Sequence, residues 1–195
     1  MRDHRPDSSA RDSLVESEAF RVGDIFSFTE AYVDLTVQRM PGIDRSAMHA
    51  ILLLTRVSKM VSYDIESRAQ RPGGLSSPAF YLAAILWLTG PLESSVAAAI
   101  SGMTRSAVSS LTKTLVRDGW VVRTHSETDA RSVLISLTEE GSARIGAVIG
   151  GVNARERHWV SNLTPEETTQ LIALLAKLVS PAAPAGASGD QPAET

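Results

Sequence analysis

The sequence predicts a mainly α-helical protein with one small β-wing. Long stretches with helical spacing of apolar residues flank a central region that holds three short helical patterns in succession. Two runs rich in β-branched residues follow these patterns, as expected for a hairpin. Together they indicate a winged helix-turn-helix lobe at residues 75–137, plus a helical dimerisation region formed by residues 14–74 and 138–180. The polar residues 1–13 and the Pro-, Gly- and Ala-rich residues 181–195 are predicted to be disordered tails.

The N-terminal segment is predicted to contain two helices. Apolar residues approximate helical spacing from Leu14 to about Arg39, where the sequence MPGID breaks the pattern. Asp44 or Ser46 can cap a long second helix, which should stop at residues 71–74, RPGG. The apolar content of this helix is so little interrupted that we expect the helix to be mostly buried.

The central region carries start and stop signals for three short helices. Ser77 is the expected N-cap of the first, with Pro78 at its first position. The second helix, in ESSVAAAISG, ends at Gly102, and Thr104 can cap a third helix that Gly119 ends. A tight turn containing glycine between the last two helices is typical of a helix-turn-helix motif.

Two helices are predicted after the hairpin. Thr138 is expected to open the first, and Thr164, Pro165 and Glu167 form a capping box at the start of the second. The apolar face of this last helix and that of the segment Val22–Leu35 are too extensive for one small lobe to cover, which predicts an obligate dimer. The leucines on the last helix are Leu171, Leu174, Leu175 and Leu178.

The third short helix has two distinct faces. One face is an apolar seam of Val108, Leu111 and Leu115. The other is a stripe of small polar residues that ends in basic ones, formed by Ser106, Ser109, Ser110, Lys113 and Arg117. Small hydroxyl residues allow close approach to base edges, and basic residues neutralise phosphates, so the stripe suits the major groove of DNA. Thr104 and Arg105 at the N-terminal end of the helix complete this candidate DNA-binding set, although a solvated helix face would look the same.

The hairpin favours the DNA-binding interpretation. Its strands, WVVRT and SVLISL, are joined by the seven residues 125–131, a connection long enough for the tip to project. Arg131 at this tip is predicted to enter the adjacent minor groove. Asp129 is predicted to hold an arginine in one orientation through a charge-assisted hydrogen bond.

The sequence resembles the multiple-antibiotic-resistance regulator (MarR) family of winged-helix transcription factors. The match lies in LVRDGWVVR, in the wing sequence DAR and in SVLISLTEEG, which are similar to the family's D-x-R, strand and LT-x-x-G pattern. The segment GIDRSAMHAILLLTRV also resembles the start of the family's dimer-scaffold helix. The resemblance extends from about Gly42 to Val179. It implies a homodimer that binds a pseudo-palindromic operator with one recognition helix per half-site.

The resemblance also implies a small-molecule site between the scaffold helix and the DNA-binding lobe, often for anionic aromatic compounds. A cation among aromatic and apolar side chains could hold a carboxylate there, whereas the ordinary alternative is a solvated cation beside core aromatics. The candidates are Arg56, Lys59, Tyr63, Tyr81 and Trp87. We therefore expect a transcriptional repressor that a small anionic aromatic ligand releases from its operator.

An alternative function is a winged-helix module that contacts proteins and does not bind DNA. A protein-binding surface would not require the basic set of Arg105, Lys113, Arg117, Arg123 and Arg131.

The sequence contains no glycine-rich phosphate loop, nucleophile elbow or clustered acid-base pair, so we expect no enzyme activity and no cofactor.

Composition excludes several other classes of protein. The 195 residues include no cysteine, which excludes disulfides and thiolate zinc sites. The histidines show neither HxxxH nor HExxH spacing, so no metal site is predicted; they are His4, His49, His125 and His158. The net charge of −3 argues against a general polycation, and any DNA binding must come from a local basic patch. No apolar run is long enough to span a bilayer and the N-terminus is polar, which predicts a cytoplasmic protein without membrane contact.

Overall fold

The described chain is mainly helical, with one small antiparallel sheet, as the sequence predicts. A computed structural model describes residues 25–125 and 133–180. The predicted tails, the start of the first predicted helix and the hairpin tip lie outside the described residues. The helices are α1 (Ile25–Arg39), α2 (Arg45–Ile65) with a π-helical continuation (Glu66–Gln70), α3 (Ser77–Thr89), α4 (Ser94–Ser101), α5 (Arg105–Arg117), α6 (Glu139–Trp159) and α7 (Pro165–Val179). The strands are β1 (Leu92–Glu93), β2 (Val121–His125) and β3 (Val133–Leu137).

Helix α2 begins as the sequence predicts, and its end differs in form. Of the two candidate caps, Asp44 caps the helix, because its side chain accepts a hydrogen bond from the backbone N–H of Ala47 at 3.0 Å. The five residues after α2 form a π-helix instead of a last α-helical turn. The helix then ends before the turn at residues 71–74. There the backbone N–H of Leu75 donates a hydrogen bond to the carbonyl of Gln70 at 3.0 Å.

The prediction that the long helix is mostly buried is wrong for the single chain. No residue of α2 is buried, and only Ala69 and Gln70 in the π-helical continuation are. The reason is that α1 and α6 cover parts of α2 and leave much of its apolar surface open. The large side chains exposed on α2 are Ile51, Leu54, Val57, Met60 and Tyr63.

Helix α3 starts one residue earlier than the sequence indicates. Ser76, and not Ser77, is the N-cap residue, so that Ser77 is the first helical residue and Pro78 lies within the first turn. The physical reason is a tertiary contact, because the Ser77 hydroxyl donates a hydrogen bond to the side-chain oxygen of buried Gln70. This bond ties the start of the lobe to the end of the scaffold helix.

The turn and caps of the helix-turn-helix motif form as predicted. Gly102 ends α4 in the left-handed conformation, with φ 67°. The Thr104 hydroxyl then caps α5 by accepting the backbone N–H of Ala107 at 3.2 Å. Gly119, with φ 74°, follows the C-cap residue Asp118 and turns the chain into β2.

The sheet has one strand more than the sequence predicts. Both predicted strands form and pair in antiparallel register, with Val121 opposite Leu137 and His125 opposite Val133. The additional strand β1 pairs with the other edge of β3, which gives the order β1-β3-β2. Because β1 has only two residues, it carries no alternation that a sequence pattern could reveal. It fixes the base of the wing to the start of α4.

The core lies within the winged lobe and extends onto the inner face of α6. Trp120, Leu82, Leu115, Ile135 and Ile145 are the largest fully buried apolar side chains of the lobe and α6. Helix α7, in contrast, has no buried residue, although its predicted capping box is present with hydrogen bonds of 2.8 and 3.2 Å. Within residues 25–125 and 133–180, no helix is long and apolar enough to cross a membrane.

Candidate nucleic-acid interface

Helix α5 separates its two faces as the sequence predicts. Val108 and Leu115 are buried, and Leu111 packs partly buried against the same core. Seven of the predicted DNA-binding residues belong to α5 and its N-cap, and of these the structure exposes six on the opposite side and leaves Ser109 half-buried. The exposed residues are Thr104, Arg105, Ser106, Ser110, Lys113 and Arg117. With 13 residues, α5 is about 20 Å long, enough to lie along a major groove.

Two of the predicted contact residues also have structural roles. The Thr104 hydroxyl caps the helix, and it lies 3.0 Å from the Ser106 hydroxyl. A hydroxyl can donate one hydrogen bond and accept two, so both groups keep capacity for a further partner. The stripe residues that make no side-chain hydrogen bond or ion pair within the described residues are Ser109, Ser110 and Lys113.

The basic end of the stripe contains an ion pair that the sequence prediction missed. Arg117 donates from Nε to Oδ1 of Asp118 at 2.8 Å and from Nη2 to Oδ2 at 3.2 Å. These hydrogen bonds raise the pKa of Arg117 and hold the pKa of Asp118 below its ordinary value. Both groups are therefore charged at neutral pH, and the pair has no net charge.

The wing is described only at its base. Arg123 lies exposed on β2, on the strand pair that leads to the tip. Asp129 and Arg131 lie outside the described residues, so their predicted roles at the tip remain predictions from the sequence. The described part of the candidate interface is therefore the α5 stripe with Arg123, and the tip stays a prediction from the sequence.

A buried corner joins α5, β2 and α6 behind this interface. Trp120 is 1% exposed, and the Arg144 guanidinium stacks on its ring with Cζ 3.8 Å from the ring centroid. Arg144 also donates a hydrogen bond from Nη1 to the backbone oxygen of Asp118 at 3.4 Å. The large indole directly after Gly119 predicts packing at this helix-to-strand corner, which its burial confirms, whereas the role of Arg144 had no sequence signal.

A second polar cluster connects the scaffold helix to α6. Asp64 accepts hydrogen bonds from Arg155 Nε at 2.7 Å and from Trp159 Nε1 at 2.9 Å, and pairs with Arg68 at 2.9 Å. The hydrogen bond from Arg155 is the main cause that lowers the pKa of Asp64, which is the carboxyl group shared by all three partners. No local sequence pattern predicts this cluster, because its members are up to 95 residues apart.

The candidate ligand residues are only partly brought together. Arg56 and Lys59 line an open cleft of about 470 Å³ on α2, together with Leu52, Thr55 and Met60. The three aromatic candidates do not line this cleft and are exposed elsewhere on the chain; they are Tyr63, Tyr81 and Trp87. The aromatic partner of Arg56 is instead Phe28 of α1, whose ring centroid lies 4.3 Å from the guanidinium carbon.

Comparisons with known proteins agree with this architecture. A model of the MarR family matches residues 74–132. The chain is 30% identical to the HTH-type transcriptional repressor YetL of Bacillus subtilis (strain 168) over 139 residues, which cover 70% of this chain and 82% of that protein. It is 32% identical to the HTH-type transcriptional regulator PecS of Dickeya dadantii (strain 3937) over 141 residues, or 71% of this chain and 84% of that protein.

A solved structure gives the same result at the level of the fold. The crystal structure of CouR from Rhodococcus jostii RHA1 bound to p-coumaroyl-CoA is similar with a TM-score of 0.56 and 25% sequence identity. The similarity covers 68% of this chain and 92% of that chain. The similarity therefore extends to the fold over about two thirds of this chain.

Proposed function

Because the chain belongs to the MarR family of winged-helix transcriptional regulators, we propose that it is a repressor that binds a pseudo-palindromic operator as a homodimer. The observation that carries this proposal is the exposed stripe of α5, whose opposite face is anchored in the core. Each protomer would place α5 in one major groove, with the hydroxyls near base edges and the cations near phosphates. Such a regulator acts where its DNA is, in the cytoplasm.

The exposed apolar side chains of α2 and α7 support the proposed homodimer. Neither α2 nor α7 has a buried residue, although both carry rows of large apolar side chains. A soluble monomer rarely leaves so much contiguous apolar surface in water. A second copy of the chain supplies a matching surface, since a two-fold interface pairs the same patch of both protomers.

The DNA-binding role is tested by two alanine variants with different expected effects. Lys113→Ala is expected to weaken binding to a selected operator and to a scrambled duplex by the same factor, and to reduce the salt slope by about 1, because it loses a phosphate contact. Arg131→Ala is expected to lower the operator-to-scrambled ratio about tenfold, because it loses an oriented minor-groove contact. Fluorescence anisotropy titrations at 50 to 200 mM salt measure both quantities.

Lys177→Ala is the matched control, because Lys177 is an exposed lysine on α7 and not on the α5 stripe. It should leave both quantities unchanged. An Arg131→Ala variant that binds like the parent would refute the proposed role of the wing. Parent protein that shows no salt-dependent duplex binding would favour the protein-interaction alternative.

We further propose that a small anionic aromatic ligand releases the protein from DNA through the α2 cleft. Arg56 and Lys59 offer two cations beside the apolar stems of Leu52 and Met60. The p-coumaroyl-CoA bound to CouR supports an aromatic ligand of this kind. Half-sites about 34 Å apart tolerate little change in the spacing of the two lobes, so a ligand need only stabilise a spacing that does not fit.

Salicylate is the probe for this proposal, and its effect should be reciprocal. To weaken operator binding a hundredfold, the ligand must favour the released state by about 2.7 kcal/mol. Saturating operator DNA must then weaken salicylate binding by the same factor, which calorimetry on the free and the DNA-bound protein measures. Arg56→Gln should abolish the salicylate effect and preserve operator affinity. Equal salicylate affinity in the two states would contradict the proposal.

A further inference from the structure

We propose that Asp118 weakens the phosphate contact of Arg117, because the ion pair between the two side chains neutralises this arginine and occupies one edge of its guanidinium. The inference rests on the proposed DNA-binding function of α5. It assigns an affinity-lowering role to a carboxylate that lies at the end of the recognition helix.

Arg117 and Asp118 form a bidentate arginine–carboxylate pair. The guanidinium uses Nε and Nη2 for two parallel hydrogen bonds of 2.8 and 3.2 Å to the two carboxylate oxygens. A phosphate can be bound in the same bidentate way by this edge of the guanidinium. In the free protein the carboxylate occupies the edge, and the edge formed by Nη1 and Nη2 keeps N–H donors for a second anion. Arg117 therefore offers DNA one bidentate edge instead of two, unless DNA displaces Asp118.

The pair is open to solvent on the side where DNA would lie. The Arg117 side chain is 72% exposed and that of Asp118 is 40% exposed. Arg117 also aligns along the exposed stripe with Ser106, Ser110 and Lys113, which lie 11, 7 and 4 residues before it. A phosphate that meets this stripe can thus reach the guanidinium, and it also meets the carboxylate.

Asp118 is the fixed member of the pair. Its backbone N–H bonds to the carbonyl of Thr114 at 3.0 Å, and its carbonyl accepts the hydrogen bond from Arg144, whose guanidinium is stacked on buried Trp120. Arg117, in contrast, has a long flexible stem in solvent. When DNA approaches, the arginine can leave while the carboxylate stays beside the phosphates.

The electrostatic consequence is that one cation of the stripe is neutralised in the free protein. Within the described part of the chain, Arg105 and Lys113 form no ion pair, and Arg117 does. A neutral pair releases no counterions from DNA, and a carboxylate left unpaired near phosphates is repelled by them. Asp118 therefore lowers the affinity for every duplex, whatever its sequence.

The test is the variant Asp118→Asn, which preserves the shape of the side chain and removes its charge. Binding to a scrambled duplex at 50 mM salt is expected to tighten by about three- to fivefold. The slope of log K against log salt is expected to become more negative by about 0.9, the amount for one additional phosphate contact. The gain should consequently shrink by roughly threefold at 200 mM salt.

Two further variants separate this effect from a general change in charge. Asp34→Asn removes a carboxylate that also pairs with an arginine, Arg45, at 2.7 Å, but on α1, and should leave duplex binding unchanged. In an Arg117→Gln background, Asp118→Asn should produce a smaller gain, because it then relieves only the repulsion between the carboxylate and the phosphates and releases no arginine. Thermal unfolding verifies that each variant is folded at the assay temperature.

The possible outcomes are distinct. Unchanged or weaker duplex binding by folded Asp118→Asn overturns the inference, and weaker binding would mean that Asp118 presents Arg117 to DNA. A gain of the same size in the Arg117→Gln background also overturns it, because the effect would not pass through the pair. Parent protein that binds no duplex refutes the proposed function itself, which no result with the variant alone can do.

Discussion

Replacing Leu174 and Leu178 with glutamate is expected to convert the dimer into monomers and to abolish tight binding to a two-half-site operator. These side chains are 52% and 60% exposed in the single chain, on a helix with no buried residue. If the partner protomer covers them, each contributes about 1 kcal/mol, since about half of a leucine side chain is buried on association. Four such leucines in a dimer account for about 4 kcal/mol, or roughly a thousandfold in Kd.

Glutamate adds to this loss, because a carboxylate buried without a partner is strongly unfavourable. Sedimentation velocity at micromolar concentration should show a dimer for the parent and a monomer for the variant. Operator binding should decline to the affinity of a single lobe for a half-site. Far-ultraviolet circular dichroism should change little, because the core of the winged lobe does not include α7.

Ala173→Glu with Ala176→Glu is the matched control for this variant. Both alanines are exposed on α7, and helical spacing places them about 150° from the leucine row. The control adds the same two charges per chain to the same helix and should remain a dimer. A monomeric parent at micromolar concentration would contradict the dimer and the two-half-site operator with it.

The parts of the fold that the sequence predicts well are those that local interactions determine. The caps at Asp44, Thr104, Thr138 and Thr164 each involve a side chain and a backbone N–H three residues away, so a short sequence window contains both partners. The two faces of α5 follow from the spacing of its residues within three turns. The stripe of the candidate site could therefore be assigned before any tertiary contact was known.

The wrong predictions have a common cause, which is that a local pattern does not contain tertiary contacts. The apolar content of a helix, for example, does not show which other surface covers it. The residues of α2 suggest a buried helix, and the single chain leaves Leu54 and Tyr63 in solvent. Ser77 is as good a cap as Ser76 in a sequence window, and the contact with Gln70 decides between them. Such choices depend on tertiary structure, which no local pattern contains.

The polar clusters were missed for two different reasons. Asp64 and Arg155 are 91 residues apart, so only the packing of α2 against α6 brings them together. Arg117 and Asp118 are adjacent in sequence, where side chains of a regular helix do not face each other. They pair because Asp118 is the C-cap, with ψ 9°, and has left the helical path.

Gly141→Ala is expected to reduce the free energy of unfolding by about 3 kcal/mol or more. A Cβ at this position would lie 2.1 Å from the backbone oxygen of Trp120, and 2.9 Å from both its carbonyl carbon and the Thr138 hydroxyl. The main obstacle is backbone, which cannot rotate away as a flexible side chain would. For a chain of this size the loss corresponds to a decrease in Tm of about 6 to 12 °C, which calorimetry measures.

Gly146→Ala is the control, because it makes the same substitution in the same helix with nothing within 4 Å of the added Cβ. It should raise stability by about 0.5 to 1 kcal/mol, as alanine is the better helix former. Equal stability of the two variants would show that the backbone around Gly141 shifts at little cost to accommodate the added Cβ. The two substitutions thus separate the loss of glycine from the loss of the close approach.

The close approach at Gly141 also explains why a glycine belongs in the LT-x-x-G sequence. The Thr138 hydroxyl accepts the backbone N–H of Gly141 at 2.8 Å and donates to the Gly119 carbonyl at 2.8 Å, while its backbone N–H bonds to the Trp120 oxygen at 3.0 Å. These bonds fix the start of α6 against the end of α5 and the start of β2. A Cβ at Gly141 would separate them and shift the wing relative to the recognition helix. The variant, tested below its Tm, should therefore lose more affinity for the operator than for a scrambled duplex, since only the operator requires helix and wing in register.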